Sequence, residues 1–230
     1  MLFRSDFEAP EALDAMMGMA QQAFAGLDAI KERRDIWLKR FNRAALQFLD
    51  YERRRDPDII ERVAERKGEL VFPALDNFVL VGKADRLDVR RDGTLEIIDF
   101  KTGGVPQPKD MTAFDAPQLL LEAAMAKLGA FPDMPPRDTS ALTYIKIGLG
   151  PAAFQLKPFK LKAGMSLMQA VDEILRRTQS HVDAFLLHDG LPMAARIRPR
   201  VETGRKSYPG DYDHLARTDE WTLTAGVDDP

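Results

Sequence analysis

Residues 81–104 read VGKADRLDVRRDGTLEIIDFKTGG. Two apolar, β-branched segments flank Arg91-Asp92-Gly93, an arrangement typical of a β-hairpin. Each segment also carries charge where a buried strand would carry none: Asp85 in the first, Asp99 and Lys101 in the second. These charges are either ordinary polar strand ends or parts of a functional site.

The length of the turn decides whether the two carboxylates share a face of the sheet. A two-residue loop pairs residues whose numbers sum to 185, which places Asp85 opposite Phe100. A three-residue loop gives a sum of 184 and places Asp85 opposite Asp99. Three-residue loops favour a left-handed glycine at their third position, where Gly93 stands. We therefore expect two carboxylates roughly 5 Å apart at Cβ, beside Lys101 on the same face.

Such a cluster indicates a divalent metal site. Burying two carboxylates together costs solvation and mutual repulsion, which a cation offsets. Oxygen ligands suit Mg²⁺ or Mn²⁺, which activate water and stabilise charge on a phosphoryl oxygen. Asp85, Asp99 and the backbone carbonyl of Phe100 are the predicted ligands, and Lys101 is placed to hold or deprotonate the attacking water. Acid-x-Lys at a strand end is also common without a function, so only the combination carries meaning.

A helix predicted over about 117–128 supplies two more polar groups. Gln118 and Glu122 lie four residues apart, hence on one face of the helix. Residues 119–126 are otherwise apolar, so the helix is expected to be buried, and buried polar groups need partners. Either they solvate a seam between helix and loop, or Gln118 orients a site residue or a DNA phosphate and Glu122 supports the site.

Composition sets the limits of the functional interpretation. The chain has 230 residues, 45% hydrophobic and 30% charged, with a formal net charge of −3. Nucleic-acid binding by bulk charge is therefore not indicated, although arginines cluster at 53–55 and 196–206. The absence of cysteine excludes disulfides, thiolate catalysis and iron–sulfur clusters. Without an apolar run of membrane-spanning length or a signal peptide, a cytoplasmic location is expected.

Periodicity predicts an α/β protein with a mixed sheet flanked by helices. Residues 11–55 are predicted as helical, with a short helix to follow as far as about 65. Strands are expected at 69–75, 78–89, 94–100, 140–148 and 153–160, and a long helix at about 166–188. The predicted organisation is an N-terminal helical segment at 1–56, a core at 57–190 and a packed tail at 191–230.

Three motifs in order resemble a known family: GKADRLD, then IIDFKTG, then PQLLLEA. They are similar to the PD-(D/E)XK nuclease superfamily in its RecB-like branch. Within it they look like the C-terminal nuclease domain of AddB, in its alphaproteobacterial form, from the AddAB helicase–nuclease. The resemblance implies a restriction-endonuclease-like fold, with Asp85 and Asp99 as metal ligands, Lys101 as the catalytic lysine and Gln118 as the helix glutamine. It also makes Glu69, at the start of the strand predicted at 69–75, a further candidate ligand.

Three features depart from the family pattern. RecB-like relatives carry a tyrosine where Glu122 stands. They carry an upstream helical histidine that helps to bind metal, whereas the first histidine here is His181; a missing N-terminal piece would account for this, so the chain is expected to be a fragment. Many relatives hold an iron–sulfur cluster near this C-terminus, and a tail packed through Tyr208, Tyr212 and Trp221 is the expected replacement.

The sequence thus predicts a Mg²⁺- or Mn²⁺-dependent deoxyribonuclease (exonuclease) domain. By the resemblance it acts on single-stranded DNA ends within a helicase–nuclease complex, beside an AddA-like helicase subunit, in double-strand break repair and recombination. The alternative is a catalytically inactive, nuclease-like domain that serves as a DNA-binding or subunit scaffold. A nucleotide-binding enzyme is not indicated, because neither a P-loop nor a dinucleotide-binding glycine motif occurs.

Overall fold

The computed structural model describes residues 7, 9, 11–26, 31–148 and 152–187. The chain divides into two compact units, residues 1–180 and 181–230. From the second unit the structure describes 181–187, where the rings of His181 and Phe185 stack with centroids 6.0 Å apart. The predicted tail contacts of Tyr208, Tyr212 and Trp221, and the arginine cluster at 196–206, fall outside the described residues. The sheet and the candidate site belong to the first unit.

Five α-helices and five strands are formed by the described residues. The helices are α1 (Ala12–Ala25), α2 (Lys31–Arg55), α3 (Pro108–Ala113), α4 (Gln118–Lys127) and α5 (Leu167–Leu186). The strands are β1 (Ile59–Phe72), β2 (Phe78–Arg90), β3 (Leu95–Lys101), β4 (Thr139–Ile147) and β5 (Phe154–Pro158). None of the described helices is long and apolar enough to cross a membrane.

The strands form one mixed sheet in the order β1-β2-β3-β4-β5. The β3–β4 pair is parallel, and the other three pairs are antiparallel. Because β3 and β4 are parallel, the chain must cross over between them, and α3 and α4 lie in that crossover. The predicted mixed α/β sheet with flanking helices is confirmed.

The β2–β3 turn has the predicted three-residue loop. Arg90 N–H donates to the Thr94 carbonyl, and Gly93 takes a left-handed φ of 84°. The register follows, with Leu87 opposite Ile97 and Val89 opposite Leu95. These four side chains are buried and belong to the main core, where they pack with apolar residues that include those of α4.

The largest error of the sequence interpretation concerns residues 59–68. A short helix is expected there, but the segment is the first part of the 14-residue strand β1. Buried Ile59 and Val63 are four residues apart, which fits helical spacing. A strand also places residues four apart on one face, so this spacing does not distinguish the two structures. The strand is irregular, with a register shift near Ile59 and a φ of 55° at Glu65. Helix α3 also lies in a region predicted as loop.

The opposite face of the sheet is covered by α2 through ion pairs. Arg86 and Asp88 of β2 and Glu96 of β3 alternate with the core-facing residues, so they point away from α4. All three are buried. Arg86 donates to Glu52 of α2 (2.7 Å), and Arg55 of α2 donates to Glu96 (2.7 Å). A charged layer therefore joins α2 to the sheet.

Candidate active site

The candidate site lies where β3 changes from apolar to charged. On the face towards α4, the strand presents Leu95, Ile97, Asp99 and Lys101 in succession. Leu95 and Ile97 are fully buried, Asp99 is 1% exposed, and Lys101 is partly exposed. The strand therefore delivers one carboxylate and one ammonium to the edge of the core, where solvent begins.

Asp99 is held by two donors from different elements. Its Oδ1 accepts a hydrogen bond from Lys101 Nζ (2.9 Å) and another from Gln118 Nε2 at the start of α4 (2.7 Å). Lys101 Nζ also lies 2.8 Å from Oδ2, but this buried oxygen accepts no hydrogen bond from the described residues. One oxygen is thus fixed, while the other keeps a lone pair that a cation could use.

Asp85 reaches the site differently from the simple pairing predicted. The β2–β3 ladder ends at Arg86 and Ile98, one residue before Asp85 and Asp99 would pair. Instead, Asp85 Oδ2 accepts a hydrogen bond from the backbone N–H of Phe100 (2.9 Å). The carboxylate therefore bridges to β3 beside Asp99. Its negative charge contributes to raising the pKa of Asp99, although the burial of Asp99 is the larger cause.

Gln118 links the strand residues to Glu122 on α4. Its Oε1 accepts from Lys101 Nζ (3.1 Å), while its Nε2 donates to both Asp99 and Glu122 Oε1 (3.2 Å). Glu122 is 4% exposed, and its Oε2 is buried without a partner among the described residues. Burial raises the pKa of Glu122 to about 7, with the Gln118 hydrogen bond opposing the rise.

The structure does not bring Glu69 to this cluster. Glu69 pairs with Val81, four residues along β2 from Asp85, or about 13 Å at the usual strand rise. Neighbouring Gly68 faces α4, because a Cβ there would lie 2.9 Å from Met125. Strand alternation then turns the exposed Glu69 to the other face. Glu69 therefore lies apart from Asp85 and Asp99.

Arginines 53–55 are occupied within the protein. Arg53 donates to the carbonyl of Phe7 (2.6 Å), and exposed Arg54 pairs with Asp50. Arg55 is 12% exposed and pairs with Asp88 and Glu96. Arg55 is therefore unavailable for contact with DNA phosphates, and it belongs neither to a solvated basic face nor to a docking surface for another subunit.

Sequence reasoning missed two residues of the neighbouring strand. Lys146 of β4 lies beside Lys101, and Tyr144 lies beside Asp99. Lys101 Nζ sits 5.9 Å from the centre of the Tyr144 ring. Burial, followed by the negative charge of Asp99, raises the pKa of Tyr144. The sequence did carry a signal for Lys146: it lies near the end of an apolar strand in YIKIG, as Lys101 does in IIDFK.

The donor set fits a hard divalent cation. Mg²⁺ commonly takes one or two carboxylates and keeps several waters. Asp85 and Asp99 supply the carboxylates, and the Phe100 carbonyl is the predicted third ligand. Within the described ranges, no three His, Cys, Asp or Glu side chains are grouped as a metal site. The ligands that the described residues offer to a metal here are thus the two aspartates and the backbone oxygen, with water completing the coordination.

Comparison with known families agrees with this arrangement. The sequence profile of the PD-(D/E)XK nuclease superfamily matches residues 4–201. The chain belongs to this superfamily. The matched range contains the strand pair, the Asp-x-Lys motif of β3 and the glutamine of α4. The restriction-endonuclease-like fold expected for a PD-(D/E)XK nuclease agrees with the five-stranded mixed sheet.

Similar proteins do not specify the chemistry further. An uncharacterized protein of Rickettsia typhi is 31% identical over 49% of this chain and 13% of its own length. One of Rickettsia conorii is 33% identical over 41% of this chain and 11% of its own length. The chain thus spans about an eighth or less of the curated relatives it matches. The crystal structure of SSO0001 aligns with a TM-score of 0.31 at 11% identity, covering 77% of this chain and 87% of that chain.

Proposed function

We propose that this chain is a metal-dependent deoxyribonuclease domain that hydrolyses phosphodiester bonds. The observation that carries the proposal is the convergence of Asp85, Asp99, Lys101 and Gln118 from three separate elements onto one edge of the buried core. Membership of the PD-(D/E)XK nuclease superfamily supports the same reaction class. A purely structural ion pair would not need a glutamine that contacts both of its members.

Each residue of the cluster has a separate role in this proposal. Asp85, Asp99 and the Phe100 carbonyl would hold Mg²⁺ or Mn²⁺, which when bound polarises a phosphoryl oxygen and lowers the pKa of water. Lys101 positions the attacking water and stabilises negative charge near it. Gln118 fixes the Asp99 carboxylate and the Lys101 ammonium relative to each other.

We also propose the larger setting that the motifs resemble. In that setting the domain is the C-terminal part of an AddB-like subunit, works with an AddA-like helicase partner, and degrades single-stranded DNA ends during double-strand break repair. The division at 1–56, 57–190 and 191–230 belongs to this proposal. The much greater length of the curated relatives supports a domain within a larger protein.

Cleavage of linear single-stranded DNA in Mg²⁺ or Mn²⁺ tests the nuclease. Lys101→Ala and Asp99→Ala should each lower the rate by about a hundredfold or more, as for loss of a proton-transfer or charge-stabilising group. Lys39→Ala, an exposed lysine of α2, is the matched control and should cleave normally. Unchanged cleavage by Asp99→Ala would contradict the assignment.

A second candidate function is a nuclease-like scaffold that does not cut. It is favoured by the Lys101 ammonium, which lies within 3 Å of both Asp99 oxygens and so neutralises Asp99 without a metal. Binding of Mn²⁺, measured calorimetrically, separates the two candidates. A nuclease should bind Mn²⁺ and lose binding with Asp99→Ala, whereas a scaffold should show no such difference.

A further inference from the structure

A cavity of about 650 Å³ opens at the C-terminal ends of β3 and β4, where the candidate active site also lies. The cavity is on the side of the sheet that α2 covers. Its walls come from Phe24 of α1 and from one face of α2, and its floor includes Thr102 and Ile147. Thr102 directly follows Lys101, so the cavity begins one residue from the candidate catalytic lysine. Its volume is within the range of roughly 300–1,000 Å³ typical of ligand pockets.

Three aromatic rings line the cavity. Phe24 packs edge-on against Trp37 at a centroid distance of 5.8 Å and against Phe41 at 6.4 Å. All three rings are partly exposed. Trp37 and Phe41 lie four residues apart on α2, so they form a continuous aromatic wall. Stacking on such rings accommodates any nucleobase, because every base has a π-face.

The cavity also contains a cation. Arg40 lines it between Trp37 and Phe41 in sequence, and its side chain is half-buried. It makes no hydrogen bond or ion pair with the described residues of the chain. A partly desolvated guanidinium is stabilised by an anion, and phosphate matches its planar donor geometry. Aromatic rings beside one arginine suit a nucleotide better than an apolar peptide.

We infer that this cavity binds an unpaired nucleobase of single-stranded DNA next to the scissile phosphate, with Trp37 and Phe41 stacking on the base and Arg40 contacting its phosphate. The inference rests on the proposed nuclease function and adds to it a subsite that binds one base of the single strand. A paired base inside a duplex could not enter the cavity. The pocket would therefore select strands that are already separated.

Fluorescence of Trp37 tests this directly. The chain has two tryptophans, so Trp221→Phe leaves Trp37 as the only reporter. In metal-free buffer, where cleavage does not proceed, single-stranded oligothymidylate should quench Trp37 emission. An abasic oligonucleotide of equal length should not. Equal quenching by both strands, or quenching by neither, would overturn the inference.

Substitutions separate base from phosphate contacts. Phe41→Leu, which keeps most of the packing volume, should weaken oligothymidylate binding about tenfold, as for loss of one stacked base. Arg40→Gln should weaken the binding of oligothymidylate and of the abasic oligonucleotide alike, and should reduce the salt dependence of binding. Lys39→Gln removes one charge from the opposite face of α2 and should change neither the affinity for these oligonucleotides nor its salt dependence.

The outcomes distinguish this inference from the nuclease proposal. Base-dependent quenching in a protein that does not cleave supports the pocket and rejects the nuclease. Cleavage without any effect on Trp37 rejects the pocket and keeps the nuclease. Trp37 shielded from acrylamide before DNA is added would mean that a protein segment fills the cavity, which also overturns the inference.

Discussion

At the scale of single residues, the candidate site brings several carboxylates together with a single contacting cation among the described residues. Lys101 is the only cation that contacts Asp99 among the described residues, while the negative charge of Asp85 adds to the effect of burial in raising the pKa of Asp99. Gln118 cannot ionise, so it bridges acids without adding charge. Burial, with smaller contributions from the negative charges of Asp99 and Asp85, raises the pKa of Glu122 to about 7.

This arrangement predicts a pH-dependent effect of Glu122→Gln. The ordinary pKa of 4.5 rises to about 7 on folding, so the folded state binds more protons between these values. The free energy of unfolding of the wild type should therefore fall as the pH rises through this window, by at most about 3 kcal/mol. Glu122→Gln lacks this loss, so its stability relative to wild type should increase from pH 4 to pH 8.

Chemical denaturation in metal-free buffer at several pH values measures the effect. Glu173→Gln provides a control of opposite sign, because hydrogen bonds from Arg176 and Arg177 lower the pKa of Glu173 to about 2. That variant should lose stability relative to wild type above pH 4.5 and little at pH 2. A stability difference for Glu122→Gln that stays constant with pH would show that Glu122 ionises normally.

At the scale of secondary-structure elements, a pair of glycines lets the β1–β2 hairpin approach the end of α4. Gly68 and Gly82 lie opposite each other in the ladder. A Cβ on Gly68 would lie 2.7 Å from Phe131, and one on Gly82 would lie 2.9 Å from Met125. Phe131 is 1% exposed and has little room to move. Because glycine has no side chain, these two positions let the hairpin lie close to the helix that carries Gln118.

Gly68→Ala should therefore destabilise the protein by about 1–3 kcal/mol, the usual cost of overpacking a core. Gly18→Ala is the matched control, since Gly18 lies inside α1 and a Cβ added there would meet nothing within 4 Å. It should be neutral or stabilise by about 0.5–1 kcal/mol, because alanine favours helix. Thermal unfolding followed by circular dichroism compares the two, and equal shifts would refute the packing argument.

At the scale of the whole molecule, the charged layer between α2 and the sheet joins the pocket to the site. Arg86 donates to Asp88 and Glu52 at 2.7 Å each, and its side chain is 8% exposed. Burial alone would disfavour its charge, but these acids raise the pKa of Arg86. Since α2 also carries Trp37 and Arg40, this layer fixes the position of the proposed base pocket relative to β3.

Removing one partner from this charged layer should lower the free energy of unfolding. Arg86→Met leaves Asp88 and Glu52 without a main donor in a buried setting, and should lower the free energy of unfolding by about 3–5 kcal/mol. Arg54→Ala removes an exposed pair with Asp50 and should change it by less than about 1 kcal/mol. Urea unfolding measures both, and a similar small effect of the two variants would show that the layer contributes little.

Much of the local structure could be predicted because it depends on neighbours in sequence. The three-residue turn follows from Gly93, which accepts φ 84°, and that turn fixes which residues of β2 and β3 face each other. The buried helix with Gln118 and Glu122 on one face follows from its apolar composition. The helix predicted within β1 is wrong. The spacing of Ile59 and Val63 fits a helix as well as a strand, and pairing with β2 decides that the segment is extended.

The sequence by itself determined the motif chemistry: an acid on β2, Asp-x-Lys on β3 and a glutamine on the next buried helix. Tertiary structure alone decided that Asp85 bonds to the Phe100 amide instead of pairing with Asp99, that Lys146 lies beside Lys101, and that Glu69 points elsewhere. The physical reason is how far apart in sequence the contacting residues lie. Turns and helical faces arise from contacts within a few residues. The ends of a ladder, parallel pairing and the burial of charge depend on segments that meet only when the whole sheet has formed.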